Sequence, residues 1–208
     1  MTDLLALLED VAAGRRSPAE AAAAIDRPAQ PRAGFLDLGF AKLDVDRAAR
    51  RGIPEVIFGA GKTAAQIARI ARAQHAQGQR VLATRVAPAV AADTTAALAG
   101  LPVQYDADAR VLWVETAPAI DQGQGIIAVI AAGTADRPAA AEAARVATLC
   151  GNRVETLHDV GVAGLHRLLA HLDWLRAAHV LIVCAGMEGA LPSVVAGLVA
   201  RPVIAVPT

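Results

Sequence analysis

Continuous apolar runs alternate with stretches of helical spacing along the second half of the chain. The apolar runs predict strands over residues 126–132, 153–157, 180–184 and 202–206. The stretches between them predict helices over residues 138–149, 165–175 and 192–199. Apolar strands that alternate with helices indicate a parallel sheet covered on both faces. We therefore predict a doubly wound α/β domain at residues 125–208.

The first half of the chain carries the same signals more weakly. Leucines at helical spacing predict a first helix, and Ser17, Pro18 and Glu20 predict the cap and first turn of a second. Further on, strands are predicted at 55–58 and 80–84, helices at 63–76 and 88–98, and a hairpin at 103–114. The predicted organisation is a helical appendage with a linker (1–33), a small α/β domain (34–117), a linker (118–125) and a doubly wound, flavodoxin-like domain (125–208).

Composition narrows the classes of partner. Among the 208 residues, 20 basic side chains balance 20 acidic ones, so no excess charge favours nucleic acid or an anionic membrane. The apolar fraction is 55%, but Glu188, Pro192 and Arg201 interrupt the longest apolar stretch. The first ten residues hold acids where a signal peptide needs bases. We expect a cytoplasmic protein that binds a small charged metabolite.

Polar loops follow three predicted strands of the last domain. Because the carboxyl ends of parallel strands meet at one edge of a sheet, we expect these loops to converge. Their candidate residues are Gly133, Thr134 and Asp136 in the first loop, His166 and Arg167 in the second, and Gly186 and Glu188 in the third.

Each of these loops has a functional and a structural interpretation. Gly133 and Thr134 precede a helix whose amides could hold a phosphate, while Asp136 could cap that helix or bind a ribose hydroxyl. His166 and Arg167 suit a phosphate or carboxylate ligand. The structural alternatives are a plain helix cap for the first loop and a solvated helix face for the second.

Glu188 is the most informative candidate because it is an acid in an apolar, glycine-rich turn. Partial burial in such a turn would suit the carboxylate to act as a general base. The alternative is a structural salt bridge with Arg167.

Two segments of the first half could also bind an anion. Lys62 and Thr63 follow two glycines between a strand and a helix, although Val56 stands where a nucleotide-triphosphate loop needs glycine, so we reject nucleotide-triphosphate hydrolysis. Lys42, Asp44 and Arg47 belong to a cluster of charges for which a solvated turn is the alternative.

Five sequence blocks together resemble the LarB family, the carboxylase/hydrolases of nickel-pincer nucleotide biosynthesis. They are residues 37–44, 54–63, 132–136, 159–167 and 185–195. The last domain also resembles, more distantly, the aminoimidazole ribonucleotide carboxylase and mutase fold, in which Asp136, His166 and Arg167 fall on substrate-binding positions.

The resemblance implies that nicotinic acid adenine dinucleotide is carboxylated at pyridinium C5 and that its phosphoanhydride is hydrolysed. The products would be pyridinium-3,5-biscarboxylic acid mononucleotide and AMP. It also implies that a cysteine thiolate adds to the ring and that an acid, here Glu188, removes the C5 proton, with Asp136 and His166 also catalytic. Carbon dioxide or bicarbonate would be the co-substrate, Mg²⁺ would accompany the substrate phosphates, and neither a resident metal nor a tightly bound cofactor is expected.

The chain departs from the family pattern at three places. Asp46 stands where the family has a histidine, and Ala135 replaces a serine. The family's cysteine lies beyond the segment ending at Thr208, whereas Cys150 and Cys184 are predicted to be buried small side chains. We therefore hypothesise a chain truncated at its C-terminus.

Two alternative functions and one assembly state remain as predictions. The alternatives are an aminoimidazole ribonucleotide carboxylase or mutase, and a nucleotide-binding module without chemistry. The resembling fold implies a homo-oligomer, an octamer.

Overall fold

The computed structural model describes residues 4–25, 34–115 and 123–208. These residues form two compact units, Met1–Asp46 and Arg47–Thr208. The boundary predicted near residues 118–125 falls largely outside the described residues, and the three-part division stays a prediction. Among the described residues, no helix is both long and apolar enough to cross a membrane.

The first unit contains two helices and a small hairpin. Helices α1 (Leu4–Ala12) and α2 (Pro18–Ile25) occur where the sequence predicts them. Ser17 caps α2: its hydroxyl accepts from the Glu20 amide at 3.2 Å, and the Glu20 carboxylate accepts from the Ser17 amide at 2.8 Å. Strands β1 (Phe35–Asp37) and β2 (Lys42–Asp44) pair antiparallel, so part of the charged cluster is a hairpin rather than only a solvated turn.

The second unit begins with a mixed four-stranded sheet of order β3-β4-β6-β5. Only β3 and β4 are parallel, and β5 and β6 form the predicted hairpin. The predicted strands 55–58 and 80–84 are shorter in the structure, beginning at Ile57 and Leu82. The elements are α3 (Arg47–Arg51), β3 (Ile57–Phe58), α4 (Ala64–Ala76), β4 (Leu82–Thr84), α5 (Pro88–Ala97), β5 (Val103–Asp106) and β6 (Val111–Val114).

The second sheet of this unit is fully parallel, with the order β10-β9-β7-β8. The chain passes from β7 outward to β8 and then back to β9, so the order reverses between β7 and β9. Its elements are β7 (Ile126–Ala131), α6 (Arg137–Leu149), β8 (Arg153–Leu157), α7 (Leu165–Leu169), α8 (Leu172–Ala177), β9 (Val180–Ala185), α9 (Ala190–Leu198) and β10 (Val203–Pro207).

Alternate residues of the central strands face opposite layers, which confirms the predicted sheet covered on both sides. Val129 and Ala131 pack with Ala140 of α6 on one face. Their neighbours Ala128 and Ile130 pack against α7, α8 and α9 on the other face. The predicted single helix over 165–175 is wrong, because the chain turns at residues 170–171 between α7 and α8.

Helix α6 also packs against the mixed sheet. Its apolar residues Ala141, Val146 and Leu149 contact a buried cluster that contains Leu82 and Val111. Charged side chains reinforce this layer: Arg145 lies 2.7 Å from Asp106, and the Arg80 guanidinium donates to the Leu149 carbonyl. Helix α6 therefore contacts both sheets of the second unit.

Candidate active site

A cavity of about 610 Å³ lies at the carboxyl ends of β7 and β9, where the strand order reverses. Open α/β sheets bind ligands at such a reversal because the two flanking loops diverge to opposite faces and leave a crevice. The structure brings together six of the predicted residues here: Gly133, Thr134, Asp136, Arg167, Gly186 and Glu188.

Asp136 is the buried carboxylate of this cavity. It lies in a short 3-10 turn that precedes α6, and only 7% of its surface is exposed. Its carboxylate accepts a hydrogen bond from the Gly133 amide at 2.7 Å and another from the Thr208 hydroxyl. Asp136 therefore fixes the β7–α6 loop and joins it to the residue that follows β10.

Arg167 supplies positive charge at the wall of the cavity. One of its terminal nitrogens lies 2.8 Å from the Asp159 carboxylate, so the alternative salt bridge between Arg167 and Glu188 is not formed. The guanidinium also packs against Gly164, where an added Cβ would lie 2.6 Å from Arg167 Nε. The pair is partly exposed, which leaves the guanidinium accessible to an anionic ligand.

Glu188 lies at the exposed turn after β9, so the expected partial burial is wrong. The turn leaves the sheet as soon as β9 ends, and the apolar residues around Glu188 in sequence do not cover it. Gly186 shows close packing at the base of the turn: an added Cβ would be 3.0 Å from Thr208 Oγ1. The carboxylate is therefore at the mouth of the cavity, on a firmly seated turn.

Two residues that line the cavity have left-handed backbone conformations. Met187 has φ of 54° and Asp159 has φ of 59°. This conformation is common for aspartate but unusual for methionine, and such residues concentrate at functional sites. The Met187 side chain is also fully exposed at the cavity mouth. None of Met187, Asp159 and Thr208 is predicted from the sequence as a site residue. Asp159 and Met187 nevertheless lie in two of the loops that are expected to converge, whereas nothing in the sequence indicates Thr208.

The remaining predicted site residues of the second unit lie elsewhere. His166 is exposed on α7, and the described lining of the cavity includes neither it nor Lys62 or Thr63. The Lys62 ammonium donates to the Phe58 carbonyl at 2.7 Å, and the Thr63 hydroxyl caps α4 by accepting from the Gln66 amide. Arg47 is exposed at the start of α3.

The first unit holds the other two candidates. Lys42 is exposed on β2, with its ammonium 5.2 Å from the centre of the Phe35 ring. The Asp44 carboxylate accepts from the Asp46 amide at 3.1 Å, which orders the turn after the strand.

Neither cysteine has the environment of a nucleophile at the cavity. Cys184 is fully buried, and burial, together with the nearby Asp136 carboxylate, raises the pKa of its thiol to about 11. Cys150 is half-buried at the C-terminal end of α6, at the opposite edge of the sheet. Within the described residues, no group of three or more histidine, cysteine, aspartate or glutamate side chains is arranged to hold a metal ion.

Comparison with known proteins gives two matches. Residues 35–116 match the LarB/PurE-like N-terminal domain family. An uncharacterized protein of Methanocaldococcus jannaschii is 35% identical over 172 residues, which cover 80% of this chain and 67% of that protein. The second match extends beyond the N-terminal domain and into the parallel sheet, because its 172 aligned residues exceed the 116 that lie up to position 116.

Proposed function

Since this chain belongs to the LarB family, whose LarB/PurE-like domain indicates an enzyme of carboxylase type, we propose that it carboxylates nicotinic acid adenine dinucleotide and hydrolyses its phosphoanhydride. Carboxylation would occur at pyridinium C5, and the products would be pyridinium-3,5-biscarboxylic acid mononucleotide and AMP. The product would serve nickel-pincer cofactor synthesis.

The observation that carries this proposal is the convergence of an acid, a cation and a helix amino end at one cavity. Glu188, Arg167 and the loop before α6 all line it. The volume of about 610 Å³ suits a ligand the size of a mononucleotide. Backbone amides of the loop before α6 would bind the phosphate, and Arg167 would bind a carboxylate or phosphate oxygen.

The carboxylation step needs a nucleophile and a base. A pyridinium ring is electron-poor, so a thiolate must first add to it and make C5 electron-rich enough to attack carbon dioxide. Glu188 then accepts the C5 proton, the electron pair of that C–H bond restores the aromatic ring, and the thiolate leaves. Because Cys150 and Cys184 do not line the described cavity, we propose that the thiolate is supplied from outside its described walls.

Hydrolysis of the phosphoanhydride needs a different set of groups. Water attacks one phosphorus atom, and the other phosphate leaves with the electron pair of the P–O bond. Arg167 would stabilise the negative charge that develops on the phosphate oxygens. A Mg²⁺ ion bound to those oxygens would share that role.

Incubation of the protein with nicotinic acid adenine dinucleotide, bicarbonate and Mg²⁺ tests this function. We expect mass spectrometry to detect AMP and the biscarboxylate in equal amounts, and ¹³C-bicarbonate to label only the biscarboxylate. Aminoimidazole ribonucleotide serves as the competing substrate. Turnover of that compound alone, or binding of the dinucleotide without either product, would refute the proposal.

A further inference from the structure

A second cavity, of about 500 Å³, lies on the other side of the wall formed by residues 136–137 and 158–159. Asp136 and Asp159 line the first cavity, whereas the adjacent residues Arg137 and His158 line the second. Successive residues of an extended segment or a helix start point in different directions, so one stretch of backbone serves two cavities.

The second cavity is a groove along helix α6. Its helical residues recur at spacings of three to four and form one stripe: Arg137, Ala141, Ala144, Arg145 and Thr148. This stripe extends over about 16 Å at the helical rise of 1.5 Å per residue. Val154 and Thr156 of β8, Asp106 at the end of β5, and Asp108 in the turn between β5 and β6 complete the walls.

The basic side chains of the groove that have no acidic partner among the described residues lie at one of its ends. Arg145 is neutralised by Asp106, because its Nε and a terminal nitrogen lie 2.8 and 2.7 Å from the same carboxylate oxygen. Arg137 and His158 both line the end of the groove where α6 begins and β8 finishes. This end lies at the same edge of the sheet as the first cavity. The groove therefore has a basic end next to the first cavity, an apolar alanine floor, and the exposed Asp108 carboxylate on its rim.

We propose that this groove binds the adenylate half of the dinucleotide, with its phosphate between Arg137 and His158. This inference rests on the proposed function, which places the pyridinium half in the first cavity. The phosphoanhydride then crosses the wall at residues 136–137. The alanine floor contacts the base, and Asp108 accepts a hydrogen bond from a ribose hydroxyl or the exocyclic amine.

Calorimetric titration of the protein with AMP alone tests the groove without any turnover. Substitutions at two exposed residues of opposite charge, Arg137 and Asp108, make the test specific. We expect Arg137→Gln to weaken AMP binding at least tenfold because it removes the charged donor, and Asp108→Ala to weaken it about fivefold because it removes the acceptor. If Asp108 acted on the nucleotide only through its charge, Asp108→Ala would instead bind AMP more tightly.

Matched controls remove the same charges elsewhere. Arg201→Gln, at the opposite edge of the parallel sheet, and Asp93→Ala, on the exposed face of α5, should leave AMP affinity within twofold of the wild type. Absence of AMP binding, tighter binding by Asp108→Ala, or equal binding by Arg137→Gln would overturn the proposal. AMP binding with these sensitivities in a protein that does not convert the dinucleotide would support the groove and refute only the proposed reaction.

Discussion

The hydroxyl of Thr208 donates a hydrogen bond to the carboxylate of Asp136, although the two residues follow different strands, β10 and β7. The other oxygen of the same carboxylate accepts from the Gly133 amide at 2.7 Å. A single buried side chain thus holds together loops that begin at two strands of the parallel sheet.

Asp136→Ala should destabilise the protein by about 1–3 kcal/mol, because it leaves the Gly133 amide without its acceptor. Thr208→Val removes only one of the two hydrogen bonds and should cost about 1 kcal/mol. Urea unfolding of both variants and of the double variant measures these free energies. We expect the double variant to lose less stability than the sum of the two single losses, since both substitutions remove the same hydrogen bond. Strict additivity would contradict a direct interaction between Thr208 and Asp136.

Glu188→Gln should abolish the carboxylation of the dinucleotide without affecting folding. The side chain is exposed at the cavity mouth, so its removal leaves no buried group unpaired. Loss of a general base lowers kcat by about 10²–10⁴-fold, while KM and the melting temperature stay near wild-type values.

Asp93→Asn removes the same charge from the exposed face of α5 and should retain full kcat. Carboxylation by Glu188→Gln at the wild-type rate would exclude the proposed base.

Gly59→Ala should destabilise the mixed sheet, whereas Gly197→Ala should not. An added Cβ at Gly59 would lie 2.7 Å from Val86 Cγ2 and 2.8 Å from the Thr84 carbonyl oxygen, so β4 would have to shift. Gly197 is in α9, where an added Cβ meets nothing within 4 Å. We expect Gly59→Ala to cost about 1–3 kcal/mol by overpacking, and Gly197→Ala to add up to about 1 kcal/mol through helix propensity. If Gly59→Ala and the wild type had the same thermal unfolding midpoint, the close neighbours of Gly59 would not restrict the side chain at that position.

The Cys184 thiol should make folding stability sensitive to alkaline pH. Burial first, and the Asp136 carboxylate second, raise its pKa from 9.0 to about 11 in the folded protein. Because the folded pKa is the higher one, the contribution to stability is complete below pH 9, declines above it, and is lost as the pH passes through 11. The complete loss amounts to about 3 kcal/mol, from two pKa units at about 1.4 kcal/mol each.

Comparison of the unfolding free energies of the wild type and Cys184→Ala between pH 8 and 11 isolates this titration, because all other groups are shared. We expect the difference in unfolding free energy between the wild type and Cys184→Ala to decrease above pH 9. A constant difference across the range would show that the thiol does not titrate in this way.

The parallel sheet could be predicted because its signals are local. The runs at β7 and β9 are apolar throughout and alternate with stretches of helical spacing, which favours buried strands, and Pro138 marks the helix that follows β7. The last helix is predicted from Pro192, whereas α9 begins two residues earlier at Ala190. The convergence of the loops with Asp136 and Glu188 then follows from parallel topology alone.

What the sequence could not predict depends on long-range contacts. The break between α7 and α8 lies in a stretch with continuous helical spacing, so nothing local marks it. Thr208 contributes to the cavity only because β10 pairs beside β9 and carries it to the same edge. The exposure of Glu188 and the pairing of Arg167 with Asp159 likewise depend on how three separate loops pack, which composition and spacing do not encode.

The left-handed backbone at Met187 carries a free-energy cost of about 1–2 kcal/mol that glycine would not incur. The same conformation at Asp159 is milder, but it lies in the same cavity wall. Substituting glycine for Met187 or Asp159 would therefore stabilise the folded protein, but it would also make the cavity wall more flexible. We expect selection for heat resistance to alter the rest of the chain before it relaxes these loops.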